Sequence, residues 1–93
     1  MIIAACRLDL FLPNSRSLKA KRQCLSGLKT RIRNRFNVSV AEVDHNELWQ
    51  RAALGIAVVS NDVQYANRVL SKVVDLVNGV GDVVLLDYAI EMR

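Results

Sequence analysis

The sequence predicts an α+β fold with chain order βαββαβ, and three observations lead there. Four short runs carry strand character, two longer runs carry the helical period, and they alternate as strand, helix, strand, strand, helix, strand. That order is the split βαβ or ferredoxin-like arrangement, a four-stranded, mainly antiparallel sheet with two helices on one face.

The first run, Ile2 to Phe11, is apolar and β-branched and stops at Pro13 and Asn14. Its even positions, Ile2, Ala4, Cys6, Leu8 and Leu10, are expected to face inward. Ile3, Ala5, Arg7, Asp9 and Phe11 then share the other face. From Leu18, apolar residues recur at Leu25, Leu28, Ile32 and Phe36, a helical stripe of about five turns. Either Ser17 or Ser15 can cap its start. Asn37 to Asp44 and Arg51 to Ser60 are two β-like runs joined by residues 45–50 as a hairpin. Asn61 and Asp62 open a second helix with Val63, Ala66, Leu70, Val73 and Val77 on its stripe, and Gly79 and Gly81 are expected to close it in the usual C-terminal manner. Asp82 to Met92 forms the last strand.

Both helices cover one face of this sheet, which leaves the other to solvent, a partner or a ligand. Ile3, Ala5 and Phe11 of the first strand and Leu85 and Ala89 of the last are too apolar for a freely solvated face, so they are candidate interface residues. At 93 residues the chain reads as one domain, residues 1–93, burying roughly 60 to 65% of its unfolded surface. No uncharged apolar window approaches the ~20 residues of a membrane span. Arg7 and Asp9 interrupt the apolar start, which argues against a signal peptide and for a cytoplasmic protein. Cys6 and Cys24 have neither disulfide-framework nor zinc spacing and are expected to be reduced structural thiols.

Charge is the most informative feature of function. Eight of thirteen Lys and Arg residues fall between Arg16 and Arg35, a stretch without an acid. Residues 1–41 hold nine basic and one acidic side chains (+8), and residues 42–93 hold four and eight (−4). Such a field nominates a polyanionic partner, and the opposed halves invite self-association. Within the first helix, Arg31, Arg33 and Arg35, with Lys29, lie near the C-terminus, where the macrodipole favours cations by about 0.3 to 1 kcal/mol. Arg16, Lys19, Lys21 and Arg22 instead crowd the N-terminus, where the same dipole disfavours them. With the free amides after Ser17 they have the makings of a phosphate cradle. Lys21 projects between Leu28 and Leu25, within the apolar sector. It is expected to snorkel along the core edge, to contact an anion, or both.

The remaining polar and aromatic residues are less specific. His45, beside Asp44 and near Glu42 and Glu47, is the only histidine and is expected to be a solvated turn residue rather than a metal ligand or an acid/base. Glu42 and Asp44 have alternate-strand spacing, so both are expected on one side, pairing with basic residues across a dimer. Trp49 is expected to cover one end of the core rather than to stack on a base, and Tyr65 and Tyr88 to be core or rim residues. The sequence has no Gly-rich phosphate loop, no Ser/His/Asp set and no aromatic doublet of the RNA-recognition type, and no cofactor is expected.

The strings Ser17-Leu18-Lys19-Ala20-Lys21-Arg22, Phe36-Asn37-Val38-Ser39-Val40-Ala41-Glu42-Val43 and Leu48-Trp49-Gln50-Arg51-Ala52 resemble the YlxP-like family (domain of unknown function 503) over nearly the whole chain. The resemblance implies a small bacterial βαββαβ protein, encoded in some genomes beside genes for translation initiation and ribosome maturation, with no established activity and no catalytic residues to carry over. Two functions are expected from the residues. One is a non-enzymatic module that meets RNA, on a ribosomal particle, through phosphates held by Arg16, Lys19, Lys21 and Arg22, with Arg31, Arg33 and Arg35 extending the field. The other is a structural or regulatory homo-oligomer, a dimer or higher, pairing through its open sheet face or edge without nucleic acid.

Overall fold

β1 (Ile2–Phe11) sits inside the sheet because it is the one strand with antiparallel partners on both sides over nearly its whole length. A computed structural model describes all residues, 1–93. In it α1 (Leu18–Arg35), β2 (Ser39–Asp44), β3 (Arg51–Ser60), α2 (Val63–Asn78) and β4 (Val84–Met92) follow β1 in the expected order. The strands run β2-β3-β1-β4 across one antiparallel sheet. This is the ferredoxin-like α+β arrangement.

The period-two pattern of β1 decides which face is core. Ala4, Cys6, Leu8 and Leu10 are buried against Leu25, Leu28 and Ile32 of α1 and Ala66, Leu70, Val73 and Val77 of α2, in one continuous apolar cluster. α2 lies across β1, β3 and β4, and α1 packs on β2 and α2. Burying a Leu, Ile or Val side chain contributes about 1.5 to 3 kcal/mol, so this layer holds the sheet and helices together.

The helix ends follow from their capping residues, with one difference from expectation. Ser17, not Ser15, caps α1: its Oγ accepts from Ala20 N at 3.0 Å, while buried Ser15 donates to Ser17 O at 3.3 Å. Asp62 caps α2, accepting from Gln64 N and Tyr65 N. Gly79 follows α2 in right-handed geometry (φ −91°), and no glycine has positive φ. The last turn instead tightens, with Gly79 N donating to Leu76 O at 3.1 Å and Val80 N to Val77 O at 3.1 Å. The left-handed cap expected of Gly79 or Gly81 is therefore absent.

Two bulges shift residues between faces. In β4 the register breaks between Asp9 and Leu10: Asp9 opposes Asp87, whereas Leu10 opposes Leu85. Leu86 is the additional residue, and it reverses the parity of what precedes it. Leu85 consequently packs against the core, and Val84, opposite Phe11, takes the open-face position expected of Leu85. In β2, Glu42 opposes Leu54 and Asp44 opposes Ala53, with Val43 additional. Gly55 accommodates this: a Cβ there would meet Val43 Cγ1 at 2.9 Å. Glu42 and Asp44 thus lie on opposite faces rather than sharing one.

Candidate nucleic-acid interface

The buried stripe of α1 is Lys21, Leu25, Leu28 and Ile32, so a lysine stands where the helical period calls for an apolar residue. Only 1% of Lys21 is exposed. Its ammonium neither snorkels to solvent nor meets an external anion. Lys21 Nζ donates to His45 O at 2.6 Å and to Leu48 O at 2.8 Å, and it lies 2.8 Å from Glu42 Oε2. Glu42 Oε2 is buried and has that ion pair as its only polar contact. Three oxygens around one ammonium compensate a charge whose desolvation would otherwise cost several kcal/mol.

The consequence is a fixed β2–β3 loop, residues 45–50. His45 takes the left-handed conformation (φ 61°), the one positive φ in the chain, with its N–H bonded to Asp44 Oδ1 at 2.8 Å. Leu12 N donates to Gln50 O at 2.9 Å, and Gln50 Nε2 donates to Pro13 O at 3.1 Å. The loop is therefore tied both to the first turn of α1 and to the segment leading into it. Trp49 does not cover the core; it is 55% exposed, and Leu48 beside it is 49% exposed. Buried Leu12 and the Lys21 stem fill that end of the core instead.

The other cations of the basic stretch divide by what they touch. Arg16, Lys19 and Arg22 are exposed and make no hydrogen bond or ion pair, and the first turn of α1 contains no acid. Arg33 donates to Val40 O at 3.1 Å, and Arg35 lies over the Phe36 ring at 5.7 Å, so both also serve the helix end. Arg31 is exposed and without a partner. Positions 19, 22, 29 and 33 follow the helix at three-, seven- and four-residue steps and form one outward stripe. Arg31 and Arg35 fall on the other flank. Sequence position alone had grouped these residues by helix end rather than by side.

The acids near the helix start form no ion pair with the free cations, although exposed Asp82 lies beside Ala20 and Cys24. Glu42 is held by Lys21, and Asp44 by Arg7, whose Nη2 reaches Asp44 Oδ2 at 3.1 Å and Asp9 Oδ1 at 3.2 Å. Arg7 thereby clips β1 to β2 over β3. The His45 amide and then Arg7 hold the Asp44 carboxyl below its usual range, and Asp9 and then Asp44 raise the Arg7 guanidinium. The cross-dimer ion pairs expected of Glu42 and Asp44 are thus satisfied within the chain. Glu47 stays exposed on the loop without a partner.

Elsewhere, the open sheet face carries a shallow depression of about 460 Å³ over Ala5, Gly55, Ala57 and Ala89, bounded by Val43, Arg7 and Glu91. Ile3 and Val59 continue it, both exposed. Burial pushes the Cys6 thiol up to about 11; burial and then Asp82 raise that of Cys24. Both are protonated, weakly nucleophilic thiols at neutral pH. No three His, Cys, Asp or Glu side chains converge to hold a metal ion. No helix is long and apolar enough to cross a membrane. Tyr65 and Tyr88 are half-exposed rim residues.

Fold and site together define a small ferredoxin-like α+β protein with an unpaired cationic helix start at the same end as a pinned, aromatic-bearing loop. The chain belongs to the family described as "Protein of unknown function (DUF503)", whose model matches residues 3–90. It is similar to the "Uncharacterized protein YlxP" of Bacillus subtilis (strain 168), with 36% identity over 67 residues, 72% of this chain and 73% of that protein.

Proposed function

We propose that the protein is a cytoplasmic, non-enzymatic RNA-binding module that engages structured RNA on a ribosomal particle through phosphate contacts from Arg16, Lys19 and Arg22. The observation that carries this reading is that these three cations stand exposed and unpaired at the helix end whose dipole disfavours them. A bound polyanion would offset that local cost, and the outward stripe through Lys29 and Arg33 would extend its track. Lys21 supports the site indirectly by fixing the loop. Recognition is electrostatic and sequence-tolerant. Titration with a structured RNA fragment should show binding at low salt, with log affinity falling linearly against log salt concentration. No binding at low ionic strength would refute the proposal.

A specific observation favours a second role, self-association. β4 is an edge strand with one free backbone edge, and along it Val84, Leu86 and Tyr88 are 44%, 48% and 50% exposed. A free edge strand with apolar side chains on both faces, Val84 beside Phe11 on the open face and Tyr88 opposite Leu8 on the helix side, is suited to pairing with a second copy. Sedimentation at tens of micromolar should then give at least a dimer whose mass is unchanged at high salt. A monomer under those conditions excludes this role.

A further inference from the structure

We infer that Trp49 is a stacking platform for an unpaired nucleobase, so the site takes single-stranded or looped RNA through that residue as well as phosphates through α1. This rests on the RNA-binding reading above. It adds a base contact to what would otherwise be a purely ionic interface.

The chain has a single tryptophan, and the structure leaves it more than half exposed on a loop that is unusually well anchored. A large apolar ring in water is unfavourable unless something covers it. Flexible loops also present such rings poorly, because ordering them on binding costs conformational entropy. Here the backbone is already fixed on both sides of Trp49. The buried ammonium of Lys21 holds the Leu48 carbonyl at 2.8 Å, and Gln50 bonds to Leu12 and Pro13 through main chain and side chain. The ring therefore stands on a prearranged support.

The same contacts hold the ring's loop at the end of the fold where α1 begins. Lys21 belongs to the first turn of α1 and Pro13 leads into Arg16, so the loop lies at the end of the fold where Arg16, Lys19 and Arg22 stand, although Lys19 and Arg22 point away from the buried, loop-facing side of the helix. An exposed aromatic at the same end of the fold as unpaired cations, with Arg51 lining the depression beside it, is a combination suited to single strands: the backbone meets the cations, and a base stacks on the ring whatever its identity. Charge complementarity thus selects a nucleic acid over a neutral protein surface as the occupant. Glu47 is the one free carboxylate on the loop, and it disfavours close approach of a phosphate there, leaving the base rather than the backbone to face that side.

Because Trp49 is the only tryptophan, its emission reports on this contact directly. At low salt, a 12-nucleotide oligouridylate and a 12-base-pair RNA duplex should both bind the full chain. Only the single strand should quench the emission substantially, because paired bases are not free to stack. W49L should weaken the single strand about tenfold, within the usual range for one stacked base, and leave the duplex within twofold. W49F, which keeps an aromatic face, should restore most of the loss.

The outcomes separate the two layers. If neither polymer binds the unmodified protein, the RNA reading falls and the stacking with it. If both bind and W49L changes neither, the stacking inference alone is overturned. Equal weakening of single strand and duplex by W49L also overturns it, because that would mark a structural role. Emission that shifts with protein concentration in the absence of RNA overturns it as well, and assigns the loop to contact with a second copy.

Discussion

Replacing Lys19 and Arg22 by glutamate should weaken binding of any structured RNA by at least tenfold at low salt while leaving the protein equally or more stable. The two effects arise from one electrostatic fact with opposite signs. At the start of α1 the macrodipole disfavours cations and favours acids by about 0.3 to 1 kcal/mol within the first turn, which holds Lys19 but not Arg22, so K19E/R22E should raise folding stability by up to about 1 kcal/mol. A phosphate bound there experiences the reverse, losing two attractive charges and meeting two repulsive ones. The slope of log affinity against log salt should also shrink by about two, one for each lost phosphate contact. Urea denaturation and RNA titration of the same preparation measure both quantities. Loss of affinity with loss of stability would indicate damage to the fold. Unchanged affinity in a stable variant would remove these two residues from any interface.

Substituting Lys21 by methionine should lower stability by about 3 kcal/mol, seen as a lower urea midpoint with little change in slope. Methionine retains the apolar stem in the stripe with Leu25, Leu28 and Ile32, so the loss isolates the ammonium. What remains is a carboxylate at Glu42 and two carbonyls, of His45 and Leu48, without their donor. Adding Glu42→Gln should recover part of the loss, because it removes the uncompensated charge but not the orphaned carbonyls. A change below about 0.5 kcal/mol in K21M would show that water replaces the ammonium readily. The structural assignment of Lys21 would then be wrong.

The elements were legible in the sequence because each was announced by its own residues. The alternation in β1, the stripes of α1 and α2, and the capping residues all act locally, and the caps, Ser17 and Asp62, are each one of the two residues the sequence offered. What was not legible depended on pairing between strands. Strict alternation placed Leu85 on the open face and put Glu42 with Asp44, and both inferences fail for the same reason: one added residue, Leu86 or Val43, reverses the parity of its strand. Gly55 was the available signal, since a glycine within a strand often marks a bulge or a close approach. It does so here: Gly55 pairs with Ala41 and leaves room for the side chain of the extra residue, Val43.

The candidate site was legible in charge but not in partition. Arg16, Lys19, Lys21 and Arg22 read alike as letters, yet three are free and one is buried. Lys21 could be singled out because it shares the helical phase of Leu25 and Leu28, but where its ammonium ends depends on a loop 24 to 27 residues later. Trp49 was misjudged for the same reason. Nothing local to residues 45–50 reveals that the Lys21 stem and Leu12 already fill the end of the core that a tryptophan would cover.

The reach of the Lys21 contact also bears on the order of events in folding. A loop held in part by a side chain from a distant helix does not take its whole native shape from its own sequence, so the last contacts of residues 45–50 form only when α1 docks on the sheet. On opening, a fluctuation that lifts the first turn of α1 removes the Lys21 contacts from the loop, while Gln50 keeps its bonds to Leu12 and Pro13. The order of the cationic helix start and that of the loop bearing the indole are therefore coupled through Lys21, though they lie in separate parts of the chain.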